Sequence, residues 1–111
     1  MSGRVAVVLV TGPDADSLRR LADTVVAERL AACVNILPVV ESIYRWEGEV
    51  QREAESLAIL KSSEDRLGDL RRRVCELHPY EIPEFLALPV GSGLDEYLAW
   101  VEDATRPEPA S

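Results

Sequence analysis

The chain has 111 residues, 47% of them hydrophobic, and a formal net charge of −8. That length suits one domain with a modest core, and the apolar content is enough for it to fold. The acidic balance argues against nucleic acid as a partner, since phosphate binding needs a basic surface, and no apolar run approaches the roughly 20 residues of a membrane span.

Arg4 to Thr11 is a near-continuous β-branched run that suits a central strand. Thr11-Gly12-Pro13-Asp14 is turn and helix-start chemistry without a Gly-rich phosphate fingerprint. Asp16 to Leu30 is predicted as an amphipathic helix, with Leu18, Leu21, Ala22, Val25 and Ala32 recurring at helical spacing. Cys33 to Trp46 is an extended run in which Pro38 implies an edge position or a bulge. Glu47-Gly48 supplies a tight turn, and Glu49 to Lys61 forms the return strand. Glu49, Gln51, Glu53 and Glu55 line one face of its first half, and its second half is apolar on both faces.

Each arm of this hairpin has about 13 residues and so reaches about 40 Å, whereas the first helix covers only about 22–25 Å. The far end, with Ile43, Tyr44, Trp46 and Val50, therefore overhangs any cover its own helices provide. A bare two-stranded ribbon is marginal in water, and a long uncovered edge invites pairing. The expectation is that the tip docks on other subunits.

Ser62-Ser63-Glu64-Asp65 reads as a helix start capped by Ser62, leading to a helix that ends near Leu77 and buries Leu67, Leu70, Val74 and Leu77. Phe85 to Val90 is a strand with Pro89 at an edge. Leu94 to Asp103 is a short last helix, with Trp100 off the centre of its apolar stripe and free to pack on a neighbour. Residues 1–104 form the domain, and 105–111 are expected to be a disordered tail. Strand–helix–strand twice over is the split βαβ, ferredoxin-like arrangement of an α+β protein.

The chemistry concentrates in His78-Pro79-Tyr80-Glu81-Ile82-Pro83-Glu84, which contains the only histidine. His78 and Ile82 each precede a proline and are biased to extended backbone, so the segment is stiff. It reads either as a rigid connector whose His78 bonds a neighbouring backbone group, or as a site where an imidazole, a phenol and two carboxylates hold a cation or a small polar ligand. Cys33 and Cys75 are far apart and in no Cys-x-x-Cys motif. The N-terminus lacks a secretory pattern, so a cytoplasmic protein with free thiols is expected. One histidine, no nucleophile motif and no phosphate loop give an enzyme little to work with.

Ala31-Ala32-Cys33-Val34-Asn35, Tyr44-Arg45-Trp46-Glu47-Gly48, Glu55 with Lys61, the His78–Glu84 stretch and Tyr97-Leu98-x-Trp100 occur together and in order. In these motifs the chain resembles the CutA divalent-cation tolerance proteins over residues 4 to 103. The resemblance implies a ferredoxin-like protomer in a tight, PII-like homotrimer, with a non-enzymatic role in tolerance of copper and other divalent metals. It also implies weak or transient metal binding through His78, Glu81 and Glu84. Members assigned a copper site have a second histidine where this chain has Leu77 and a cysteine where it has Val10, so one of three such groups remains. An inter-subunit cleft would use Trp46, Glu55, Lys61 and Tyr80, with Ile43, Tyr44, Trp46 and Trp100 at the trimer interface. Glu55 and Lys61, six apart on a strand, share a face and could form one polar site or an ion pair. Two alternatives stand beside the metal role: a PII-like sensor of a small ligand in that cleft, or a structural trimer without a ligand.

Overall fold

The computed structural model describes residues 4–108. Its elements are β1 (Val5–Gly12), α1 (Ala15–Ala27), β2 (Cys33–Trp46), β3 (Glu49–Ser63), a single 3-10 turn (Glu64–Arg66), α2 (Leu67–Leu77), β4 (Leu86–Pro89) and α3 (Asp95–Ala104). The four strands form one antiparallel sheet in the order β2-β3-β1-β4. This is the ferredoxin-like βαββαβ arrangement with an added C-terminal helix.

The sheet has two unequal faces. Val8 and Val10 of β1 and Ala58 and Leu60 of β3 point to one face, where Leu18, Leu21 and Val25 of α1 and Leu70 and Val74 of α2 close the core over them. Gly12 matters there, because a Cβ at that position would come within 2.8 Å of the Leu18 side chain. Asp14 starts α1 by accepting the Ser17 N–H at 2.7 Å. The opposite face carries Val7, Leu9, Leu57, Ile59 and Lys61, paired across strands with Leu37, Leu86 and Leu88. Of the helices, α3 packs on this side, against β3 and β1. It is anchored where the Thr105 hydroxyl bonds Ser63, and it leaves Leu37, Leu86 and Leu88 exposed.

The β2–β3 hairpin runs the full expected length and gives the molecule a long axis of 48 Å. Pro38 marks both an edge strand and a bulge. Leu37 pairs with Leu57 and Val40 with Glu55, so Pro38 and Val39 together oppose Ser56. The Ser56 hydroxyl donates to the Pro38 carbonyl at 2.5 Å, satisfying an acceptor that the interrupted ladder leaves over. The extra residue exchanges the faces of everything beyond it on β2. Glu47 and Gly48, both at positive φ, close the hairpin.

Four expectations change. α1 stops at Ala27 rather than Leu30, because Arg29 enters the left-handed region at φ 63° and folds Leu30 and Ala31 back into the core; Ala32 lies outside the helix. Ser62 caps no helix: β3 continues through Ser63, and the buried Ser62 hydroxyl donates to the Leu30 carbonyl at 2.7 Å. Pairing with β1 as far as Val5 holds those two serines in the strand. β4 is shorter than expected, Leu86–Pro89, since β1 offers it only four partners. Thr105, assigned to the tail, is 1% exposed and hydrogen-bonded, so the packed fold passes residue 104. Residues 109–111 of that tail lie outside the described residues.

Candidate functional site

The stretch from His78 to Glu84 leaves the end of α2, crosses the end of β1 and leads into β4. Its stiffness comes from the two prolines, and its position comes from the histidine. His78 is 7% exposed. Its Nε2 lies 2.7 Å from the Thr11 carbonyl oxygen, and its Nδ1 accepts the Tyr80 N–H at 3.0 Å. A carbonyl can only accept and an amide N–H can only donate. The ring is therefore neutral with its proton on Nε2, and both nitrogens are engaged. The Tyr80 ring packs at 4.8 Å from the imidazole.

That packing aims the Tyr80 hydroxyl across to β3, where it donates to Glu55 at 2.8 Å. Further out on the hairpin Tyr44 donates to Glu53 at 2.5 Å. Between the loop and the hairpin lies an open cleft of about 840 Å³, lined by Thr11, Tyr44, Trp46, Glu53, Glu55, Tyr80, Glu81 and Glu84 among others. The β-bulge is what brings the aromatic residues to it. Ser42 pairs with Glu53, Tyr44 with Gln51 and Trp46 with Glu49, so beyond Pro38 the even residues of β2 share a face with the odd residues of β3.

The cleft carries one sign of charge, and its groups show it. Burial and the charge of Glu55 push the Glu84 carboxyl up, with the Thr11 hydroxyl partly offsetting them. Burial together with the bond to Glu55 holds the Tyr80 phenol well above its ordinary value, and nearby Glu53 adds to this. The bond to Glu53 raises Tyr44. Carboxylates near enough to perturb one another would be relieved by a cation.

Trp46, Glu55, Tyr80, Glu81 and Glu84 thus meet at one cleft. Lys61 does not join them. It shares the face of Glu55 as expected, but six residues along a strand is about 20 Å, and its ammonium bonds Asn35 instead. His78 lies beneath the loop as the group that positions it, and it is absent from the cleft lining. His78, Glu81 and Glu84 do not converge as ligands. No group of three or more His, Cys, Asp or Glu side chains is placed to hold a metal ion among the described residues. Ile43, Tyr44, Trp46 and Trp100 are all exposed on the single chain. Two contributors went unrecognised in the sequence. Glu53 was visible only as one member of an alternating polar face. Thr11 gave no signal, because its carbonyl and its hydroxyl meet His78 and Glu84 only in the folded chain.

The profile of the CutA1 divalent ion tolerance protein family matches residues 6–104. The chain is 48% identical over 99 residues to the divalent-cation tolerance protein CutA of Thermus thermophilus, an alignment that covers 89% of this chain and 96% of that protein. It is 46% identical over 100 residues to the chloroplastic protein CutA of Arabidopsis thaliana, covering 90% of this chain but 55% of the relative. The chain thus spans about half the length of the plant relative and nearly all of the bacterial one. The crystal structure of CutA1 from Oryza sativa superposes with a TM-score of 0.90 at 45% identity, covering 95% of this chain and 96% of that one.

Proposed function

The chain belongs to the CutA1 divalent ion tolerance family, and from that premise we propose that it acts without catalysis, as a homotrimer, in the response to excess divalent metal ions. The observation that carries the metal part is the cleft. Glu53, Glu55 and Glu84 face one volume, and no lysine or arginine lines it among the described residues. Such a surface concentrates cations by its field and holds them through water. It does not chelate them.

Copper fits this donor set poorly. Copper favours thiolate and imidazole, but both His78 nitrogens are already bonded, and Val10 and Leu77 supply no donor. The carboxylate and phenol oxygens suit harder divalent ions. Equilibrium dialysis against copper, zinc and magnesium tests the reading. Weak binding is expected, reduced in Glu55→Gln. Absence of any uptake by the wild type at millimolar metal sinks it.

The uncovered sheet face and the projecting hairpin support assembly. Leu37, Leu86 and Leu88 are exposed beside the sheet, and Trp46 and Val50 at the tip. The edge strands β2 and β4 have no outer partner among the described residues. Apolar surface of this extent is the mark of an interface. Three copies is the number the family resemblance implies, and sedimentation equilibrium measures it directly. The position of Lys61, away from the cleft, removes the main motive for an anionic ligand there.

A further inference from the structure

The cleft is large for an ion, yet its lining is selective. Chelating a bare divalent cation needs several oxygens within about 2.0–2.6 Å of one point, and no such convergence exists among the described residues. Meanwhile the volume of about 840 Å³ is that of a small-molecule site. Its hairpin wall offers the rings of Tyr44 and Trp46, and its loop wall offers Tyr80. Aromatic faces attract cations, most strongly where water is partly excluded. The carboxylates are prepared rather than loose. Tyr44 and Tyr80 each donate to one oxygen, of Glu53 and Glu55 respectively, and the second oxygen of each has no hydrogen-bond donor among the described residues.

We infer that the cleft binds an organic cation with a primary ammonium head and an apolar or aromatic body. The head sits between Glu53, Glu55 and Glu84, and the body lies against Tyr44 and Tyr80. A primary ammonium has three donors, which bond a carboxylate directly or through water without the roughly six or more close oxygens that a bare divalent ion requires. The inference rests on the cleft being the cation site of the protein.

Titration calorimetry of the full chain with three probes of one shape tests it: tryptamine (cationic), tryptophol (neutral) and indole-3-propionate (anionic). Tryptamine is expected to bind, with tryptophol weaker by about tenfold and the anion silent, because a charge-assisted bond is lost and then opposed. Glu55→Gln should weaken tryptamine by a similar factor. Equal binding of all three probes overturns the inference, as does unchanged tryptamine affinity in a Glu55→Gln protein that unfolds like the wild type. Should that variant fail to fold, the three-probe series on the wild type decides alone. A parallel zinc titration separates the two readings. Zinc uptake without tryptamine uptake overturns this inference and leaves the metal role. Tryptamine uptake without zinc uptake supports the inference against the metal role. Uptake of neither overturns both.

Discussion

Residues 56–63 and residues 49–55 belong to one strand, β3, and both pair with β2 through the hairpin. At the root, Ser56, Ala58, Leu60 and Ser62 are essentially without solvent contact, and α1 and α2 lie over that face. At the tip, Val50 is 59% exposed and so is Trp46 across the turn. Backbone pairing carries the strand from one region into the other. Apolar burial does not follow it. The root is held by the core, and the tip by cross-strand contacts such as Tyr44 with Glu53 and by the bond from Tyr80 of the loop to Glu55. This difference leaves the tip uncovered, and the side chains that lack cover include Tyr44 and Trp46 of the cleft.

The largest effect should come from the root. Leu60→Ala, at a position 0% exposed, is expected to cost about 2–5 kcal/mol in urea unfolding, with the same loss at any protein concentration. At the tip, Trp46→Glu should put charge into the proposed subunit interface at a cost of about 2 kcal/mol or more. Its signature is different, a concentration-dependent loss of trimer in sedimentation. A Trp46→Glu protein that sediments as the wild type does would break the contrast, because the tip would then need no partner.

His78→Ala lies between the two regions. It removes the hydrogen bond that ties the loop to β1 and a second one within the loop and should destabilise by about 2 kcal/mol. Hydrogen exchange should show the loop loosening first, with the root of β3 still protected. A root that exchanges as fast as the loop would mean that His78 supports the core.

The smallest effect concerns pH. The folded Glu84 carboxyl is raised above its ordinary value of 4.5, so the native state holds that proton more tightly than the unfolded chain does. Its contribution favours the fold below the ordinary carboxylate range and is lost as pH rises through the elevated value. The wild type should therefore lose a little stability on leaving that acidic range. Glu84→Gln should not, and the difference should stay under about 1 kcal/mol because the group is only partly buried. Denaturant midpoints at several pH values give the comparison, and a wild type that gains relative to Glu84→Gln over that range would reverse the sign.

Much of this was legible in the residues. The hairpin was read with both strand starts in place because its alternation and its Glu47-Gly48 turn are local signals. The buried stripes Leu18, Leu21 and Val25 and Leu70 and Val74 follow from helical spacing. The overhang of Trp46 follows from counting residues. What was misread depended on partners remote in sequence. Ser62 has the chemistry of a cap, but β1 pairs it into a strand. Thr105 looks like the start of a tail, but Ser63 anchors it. Lys61 and Glu55 share a face, as parity requires, but each bonds a different neighbour.

Element type and order were written into the chain, because the periods of 2 and 3.6 and the turn residues act within a few positions. So was the acidity of the hairpin. Two decisions belonged to the tertiary structure. A single extra residue at Pro38-Val39 set which side of β2 would carry Tyr44 and Trp46, because only the register against β3 defines a face. The role of His78 was settled by the carbonyl of Thr11, 67 residues away, because a histidine's lone pair is free for a ligand only when packing gives it no other partner.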